Sequence, residues 1–167
     1  MNIWFINHYA VPPQYYPLAR PSLIAKNLIK MGHKVTIIAA SSVHNSDKNL
    51  IEGKEKVIRF QDDGIPYVLI KCLSYQGNGI KRILNIMEFA MKLPGVLRTM
   101  EKPDALVATS FDPISCYMGI KHAQRNCIKS VAEIADLWPE TLVDYGGVKQ
   151  SNPIVKWLRR IEKKTMM

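Results

Sequence analysis

Residues 2–6 (NIWFI), 35–40 (VTIIAA) and 105–110 (ALVATS) are short stretches dominated by apolar and β-favouring side chains. They constrain the fold more than any other feature of the chain. Such runs read as strands buried on both faces, which is the pattern of a parallel sheet. Parallel strands need crossover connections, and the intervening segments carry helical patterns. The fold class expected is therefore α/β, a Rossmann-like, mainly parallel sheet with helices on both faces.

The connections support this reading. A loop marked by Pro12-Pro13 and Pro17 leads to a helix that starts close to residues 18–20, with Pro21 in its first turn. Ile24, Leu28 and Met31 are expected to form its buried stripe, bordered by Leu23, and Gly32 is placed as the residue that ends it. Residues 41–54 are polar and aperiodic and read as a flexible loop. Residues 56–60 and 66–71 read as strands around an Asp62-Asp63-Gly64 turn. A helix over 80–93 is expected to stop near Pro94-Gly95, with a further helical piece to Met100. Asp112 and Asn152 stand as N-caps before Pro113 and Pro153, which open helices over 113–126 and 153–165. Residues 129–135 read as a last strand.

With 167 residues, one domain is expected. The chain stops inside a helical pattern, at Lys163-Lys164-Thr165-Met166-Met167, which reads as a fragment or the first half of a longer protein. The amino terminus has no signal-peptide pattern, and three scattered cysteines suit reduced thiols, so a cytoplasmic location is expected. The net charge of +9 is local. Residues 80–102 hold five Lys/Arg against two acids, and residues 149–167 hold six against one. Both segments are amphipathic helices. Lys81, Arg82, Lys156, Arg159, Arg160 and Lys163 are the candidate membrane-docking cations, and a solvated basic face is the competing reading. In the first of these helices Lys81, Asn85, Glu88 and Lys92 form a polar stripe, and the remainder is apolar.

The loop after the first strand contains no glycine, which disfavours the dinucleotide mode, and no P-loop occurs. The loop instead offers rings at Tyr9, Tyr15 and Tyr16, with His8 and Arg20 nearby; these suit sugar faces or simply stiffen the loop. The four histidines lack metal-ligand spacing, so no metal is expected. Thr109-Ser110-Phe111-Asp112 precedes a helix and can receive an anion, although Asp112 fits better as its cap. Ser130 to Glu140, SVAEIADLWPE, ends a strand in a polar turn. Asp136, Trp138 and Glu140 would therefore stand at the carboxyl end of a strand, where open α/β sheets bind ligands.

Three elements in order, P-P-x-x-x-P-x-A-R (12–20), M-G-H-K-V-T (31–36) and A-D-L-W-P-E-T (135–141) followed by N-P and a basic helix, resemble the amino-terminal domain of bacterial glycosyltransferase family 4 enzymes, the capsular and O-antigen polysaccharide type. The resemblance covers nearly the whole chain. It implies the amino-terminal half of a GT-B fold, whose carboxy-terminal donor-binding domain is absent from this chain. It further implies retaining, metal-independent sugar transfer from a nucleotide-sugar to a saccharide or lipid-linked saccharide at the inner face of the membrane. No cofactor and no nucleic acid would take part, and the chain would be inactive without its second domain. Asp136 is then the candidate catalytic residue. His8, Tyr16, Arg20, Ser110, Asp112, Trp138 and Glu140 are the candidate substrate-binding residues. Ala135 stands where relatives carry Arg, and Phe111-Asp112 where many carry His. The alternative reading is a non-catalytic α/β domain that docks on membrane or another anionic polymer.

Overall fold

The structure, a computed structural model, describes residues 1–17, 20–144 and 146–167. Leu18 and Ala19, within the expected start of the first helix, lie outside the described residues. The elements run β1 (Asn2–Ile6), α1 (Arg20–Lys30), β2 (Lys34–Ala40), β3 (Val57–Asp62), β4 (Ile65–Ile70), α2 (Ile80–Leu97), β5 (Ala105–Thr109), α3 (Pro113–Arg125), β6 (Lys129–Glu133), α4 (Glu140–Asp144) and α5 (Pro153–Met166). The sheet has six strands in the order β3-β4-β2-β1-β5-β6, and only β3 is antiparallel to its neighbour. The α/β class and the mainly parallel sheet with helices on both faces are therefore present.

Strand alternation divides the core. Ile3, Phe5, Val35, Ile37, Tyr67 and Leu69 face Ala25 and the partly buried Ile24, Leu28 and Ile29 of α1. Trp4, Ile6, Ile38, Val68, Leu106 and Ala108 face Phe89, Leu93 and Leu97 of α2 and Ile120 of α3. Gly119 lets α3 approach the sheet, because a Cβ there would stand 3.0 Å from Ile6 Cδ1 and 3.3 Å from Ala108 Cβ. Gly32, at φ +84°, closes α1 as expected, with Gly32 N donating to Ile29 O and His33 N to Leu28 O. Asp63 and Gly64 both take positive φ in the β3–β4 hairpin, which matches its tight turn.

Several expectations are corrected. Met31 and Leu23 are exposed, and the buried face of α1 begins instead at Pro21, Ser22 and Ala25. Residues 41–54 are held in place: Val43 N donates to Lys48 O, Leu50 N to Ser41 O, and Asn49 Nδ2 to Cys72 O. Val43 and Ile51 anchor that loop in the interior. Helix α2 runs through Pro94 to Leu97, because Leu93 and Leu97 continue its buried stripe across the proline. Its polar stripe is also not its solvent face, since Asn85 is fully buried while Ile80, Ile83, Leu84 and Met91 are exposed. Strand β6 ends at Glu133, where Ser110 takes over its pairing.

Candidate functional site at the carboxyl edge

The strand order reverses at β1. From β1 the chain moves outward through β2 and β4, then returns to β5 on the other side. Such a reversal opens a crevice at the carboxyl ends, the usual ligand position in open α/β sheets. Here His8 follows β1 and Asp112 follows β5, and the two fill the crevice between them. His8 Nδ1 lies 2.8 Å from Asp112 Oδ2, and the residues are 2% and 1% exposed. His8 Nε2 lies 2.6 Å from Asn85 Oδ1. The Asn85 amide donates to Leu73 O at 2.5 Å and Ser42 Oγ at 2.7 Å. A carbonyl can only accept, so Leu73 fixes the amide with its oxygen toward His8. Both ring nitrogens then face oxygen atoms of the protein, Asp112 Oδ2 and Asn85 Oδ1. Asp112 Oδ1 also caps α3 by accepting from Ser115 N at 2.7 Å. His8 and Asp112, both expected to bind substrate, are thus bonded within the protein and offer no open atom.

To one side of this pair lies a cluster of packed rings. Tyr9 comes from the β1–α1 loop, His44 from the β2–β3 loop and Tyr75 from the β4–α2 loop. Tyr9 and His44 have centroids 4.5 Å apart; His44 and Tyr75 are 5.8 Å apart and joined by a 2.5 Å bond from Nδ1 to the phenol oxygen. Tyr16 stands edge-on to His44 at 5.4 Å, and Phe111 approaches Tyr9 at 6.1 Å. Arg82, in the first turn of α2, reaches this group. Burial first, then the Arg82 charge, lowers the His44 pKa. Burial raises Tyr9 and Tyr75, while Arg82 opposes the rise in both. Arg82, expected on a membrane face, belongs here instead. Its guanidinium donates to Asn78 Oδ1 at 2.6 Å, and no carboxylate among the described residues pairs with it.

To the other side lies the end of β6. Ser110 is buried, and its Oγ accepts from Ala135 N at 3.1 Å while its N–H donates to Glu133 O at 2.8 Å. Asp136 is exposed at the carboxyl end of β6. It borders a cavity of about 10 Å³, room for about one water, with Ser110, Trp138, Glu162 and Thr165. The Trp138 Nε1 is buried with no acceptor among the described residues. Asp136, Trp138 and Ser110 therefore come together at one edge. Two other expected binders are engaged elsewhere. Glu140 takes a bidentate contact from Arg159 at 2.8 and 2.9 Å, and that hydrogen bond holds its carboxyl below the usual range. Neither is a free charge, so Arg159 is removed from the membrane-docking set. Arg20 is 71% exposed and pairs with Glu133 at 2.6 Å, whose other oxygen accepts from Thr109.

Sequence reasoning missed His44, Tyr75 and the inward turn of Asn85. The signal available was position, since His44, like His8, follows the carboxyl end of a buried run. Among the described residues no group of three or more ligating side chains is arranged to hold a metal. A hollow of about 760 Å³ lies at the opposite end of the strands, with Trp4, Thr36, Arg59, Gln61 and Thr99 in its lining. The buried, convergent polar groups are at the carboxyl edge, and that edge is the candidate site.

No protein-family model matches the chain, and no curated protein matches it. Among solved structures it is similar to the catalytic domain of starch synthase IV from Arabidopsis thaliana bound to ADP and acarbose, with a TM-score of 0.48 at 12% identity. The match covers 80% of this chain, which spans 33% of that one. The fold class rests on the strand order and helix layers given above: an open, doubly wound α/β sheet with its candidate site at the carboxyl edge.

Proposed function

We propose that this chain is the acceptor-side domain of a retaining glycosyltransferase. In this reading it takes part in moving a sugar from a nucleotide-sugar to a saccharide, lipid-linked at the cytoplasmic face of the membrane, in cell-surface polysaccharide synthesis. The observation that carries the reading is the pairing, on one carboxyl edge, of an aromatic cluster with the exposed Asp136-Leu137 turn and the half-buried Trp138 beside it. Aromatic faces pack against the C–H patches of a sugar ring, and an exposed carboxylate accepts from sugar hydroxyls. The A-D-L-W-P-E-T element and its companions, which resemble family 4 glycosyltransferases, support the same class. Asp136 would orient the acceptor, and the partly exposed rings of Tyr16 and His44 would stack on it. The buried His8–Asp112–Asn85 network would hold the loops that carry them. Saturation-transfer NMR with oligosaccharides tests this. Sugar ring protons should saturate, and Asp136→Asn and Trp138→Ala should each weaken binding about tenfold, as the loss of a charge-assisted hydrogen bond or stacked ring implies. Absence of saturation with every saccharide would contradict it.

A specific observation supports peripheral membrane docking in addition. Ile80, Ile83, Leu84 and Met91 leave one face of α2 apolar and exposed, and Ile154 and Trp157 do the same on α5. Both helices pack on α3, so they share one layer. Lys81, Lys156, Arg160 and Lys163 are exposed and supply cations. No described helix is long and apolar enough to cross a membrane. Sedimentation with liposomes should show binding that rises with anionic lipid and falls with salt. Equal binding to neutral liposomes, or none, would remove the electrostatic part of the reading.

A further inference from the structure

We infer that the hollow between α3 and α5, lined by Lys121, Arg125 and Lys164, is a site for an exposed phosphomonoester group on an anionic lipid; this rests on the membrane-docking reading above. The hollow measures about 430 Å³, and Tyr117, Gln124 and Met167 complete its lining. No acidic side chain lines it. None of its three cations has a carboxylate partner among the described residues. Lys121 and Arg125 stand four residues apart on α3, and like charges at that spacing repel. Lys164 brings a third positive charge from a different helix. Helix ends favour cations in their last turns, which accounts for Arg125 and Lys164 one at a time. It does not account for Lys121, a turn earlier, whose Nζ stands 5.3 Å from the centroid of the Tyr117 ring in the same hollow. A shared anion would relieve the repulsion among all three.

The place of the hollow in the fold selects a lipid. Helix α3 packs on both α2 and α5. On α3, Tyr117, Lys121 and Arg125 recur at i, i+4 and i+8; on α5, Trp157, Arg160 and Lys164 recur at i, i+3 and i+7. Lys164 therefore shares a stripe with the exposed Trp157. That ring is one of the apolar groups read above as resting on a bilayer, so the hollow opens beside the plane of the headgroups. A phosphomonoester presents three acceptor oxygens and close to two negative charges. It matches three cations, and the Tyr117 hydroxyl and Gln124 amide add neutral donors. A phosphodiester headgroup, such as that of phosphatidylserine, keeps its phosphate beneath a further substituent and leaves fewer oxygens free.

Sedimentation with phosphatidylcholine liposomes that carry either phosphatidic acid or phosphatidylserine, matched in surface charge, tests the site. The phosphatidic acid vesicles should bind at least about tenfold tighter, as one charge-assisted contact implies. Lys121→Gln, Arg125→Gln and Lys164→Gln should each cut that preference by about fivefold. Lys156→Gln and Lys163→Gln, on exposed positions outside the hollow, should weaken binding to both vesicles alike and keep the preference. Equal binding to the two matched vesicles would overturn the site and leave the membrane reading standing. A preference that survives Lys121→Gln and Arg125→Gln would place the phosphate elsewhere and overturn the site as well. Glycerol 3-phosphate titrated into the chain by calorimetry should bind at least about tenfold more weakly than the phosphatidic acid vesicles. Equal affinity would assign the hollow to a soluble phosphate ester and overturn the lipid source. Binding to no vesicle would overturn both the site and the membrane reading.

Discussion

Between β1 and β5, the crevice opened by the reversal of strand order is occupied by side chains of the chain itself. His8, Asp112, Asn85 and Ser42 satisfy one another there with almost no exposure. Removing one member leaves the others unpaired in a low-dielectric interior. Asn85→Ala should cost about 1–3 kcal/mol in a denaturant titration, the usual penalty for stranding buried polar groups. An exposed helix position would change by about 0.5 kcal/mol or less. Asp112→Ala should cost at least as much, since it strands a buried His8 ring nitrogen and also removes the cap of α3. A cost near zero for either would mean that the network does not hold the loops. The cap at Asp112 was legible in the sequence because Pro113 follows it. The burial of Asn85 was not. It sits on a helix whose polar residues recur at helical spacing, and local pattern reads such a stripe as solvated. Only the convergence of the β2–β3 and β4–α2 loops, a long-range fact, turns it inward.

Among the elements, α2 departs furthest from its sequence pattern. Pro94 withholds one backbone N–H, yet the helix continues because burial of Leu93 and Leu97 outweighs that loss. Pro94→Ala should therefore stabilise the protein, by up to about 3 kcal/mol, the propensity gap between the two residues. Denaturant midpoints read this, and a lower midpoint would mean that the proline fits a distortion the helix needs. Gly119 makes the opposite case. Gly119→Ala should cost about 1–3 kcal/mol through overpacking, since the new methyl meets Ile6 at 3.0 Å. The strands were legible as elements because continuous apolar runs and β-favouring residues are local signals. The short helix α4 and the ordered loop over 41–54 were not. Their order comes from contacts such as Asn49 to Cys72 and Glu140 to Arg159, which join distant parts of the chain.

At the scale of the molecule, the histidines set a pH response. His44 and His122 both have folded-state pKa values lowered, chiefly by burial and then by a nearby arginine. The unfolded chain therefore takes up protons first as pH falls from about 6.5. The stability these residues contribute is complete above that value and is lost as pH drops toward their folded pKa values. Thermal midpoints measured from pH 7.5 downward should fall across this window, and the fall should shrink in His44→Asn. A midpoint unchanged to pH 5 would contradict the assigned neutrality.

The carboxyl edge was legible as the place for a site because strand ends could be read from the apolar runs. Which side chains meet there was not, since the cluster draws Tyr9, His44, Tyr75 and Arg82 from four separate segments. In the proposed function this edge, and not the hollow at the amino ends of the strands, receives the sugar. Mapping amide and aromatic chemical-shift changes on adding an oligosaccharide decides between the two. Changes are expected at Tyr9, Tyr16, His44, Tyr75, Asp136 and Trp138. Changes confined to Trp4, Thr36, Arg59 and Gln61, in the hollow of about 760 Å³ at the other end, would contradict it.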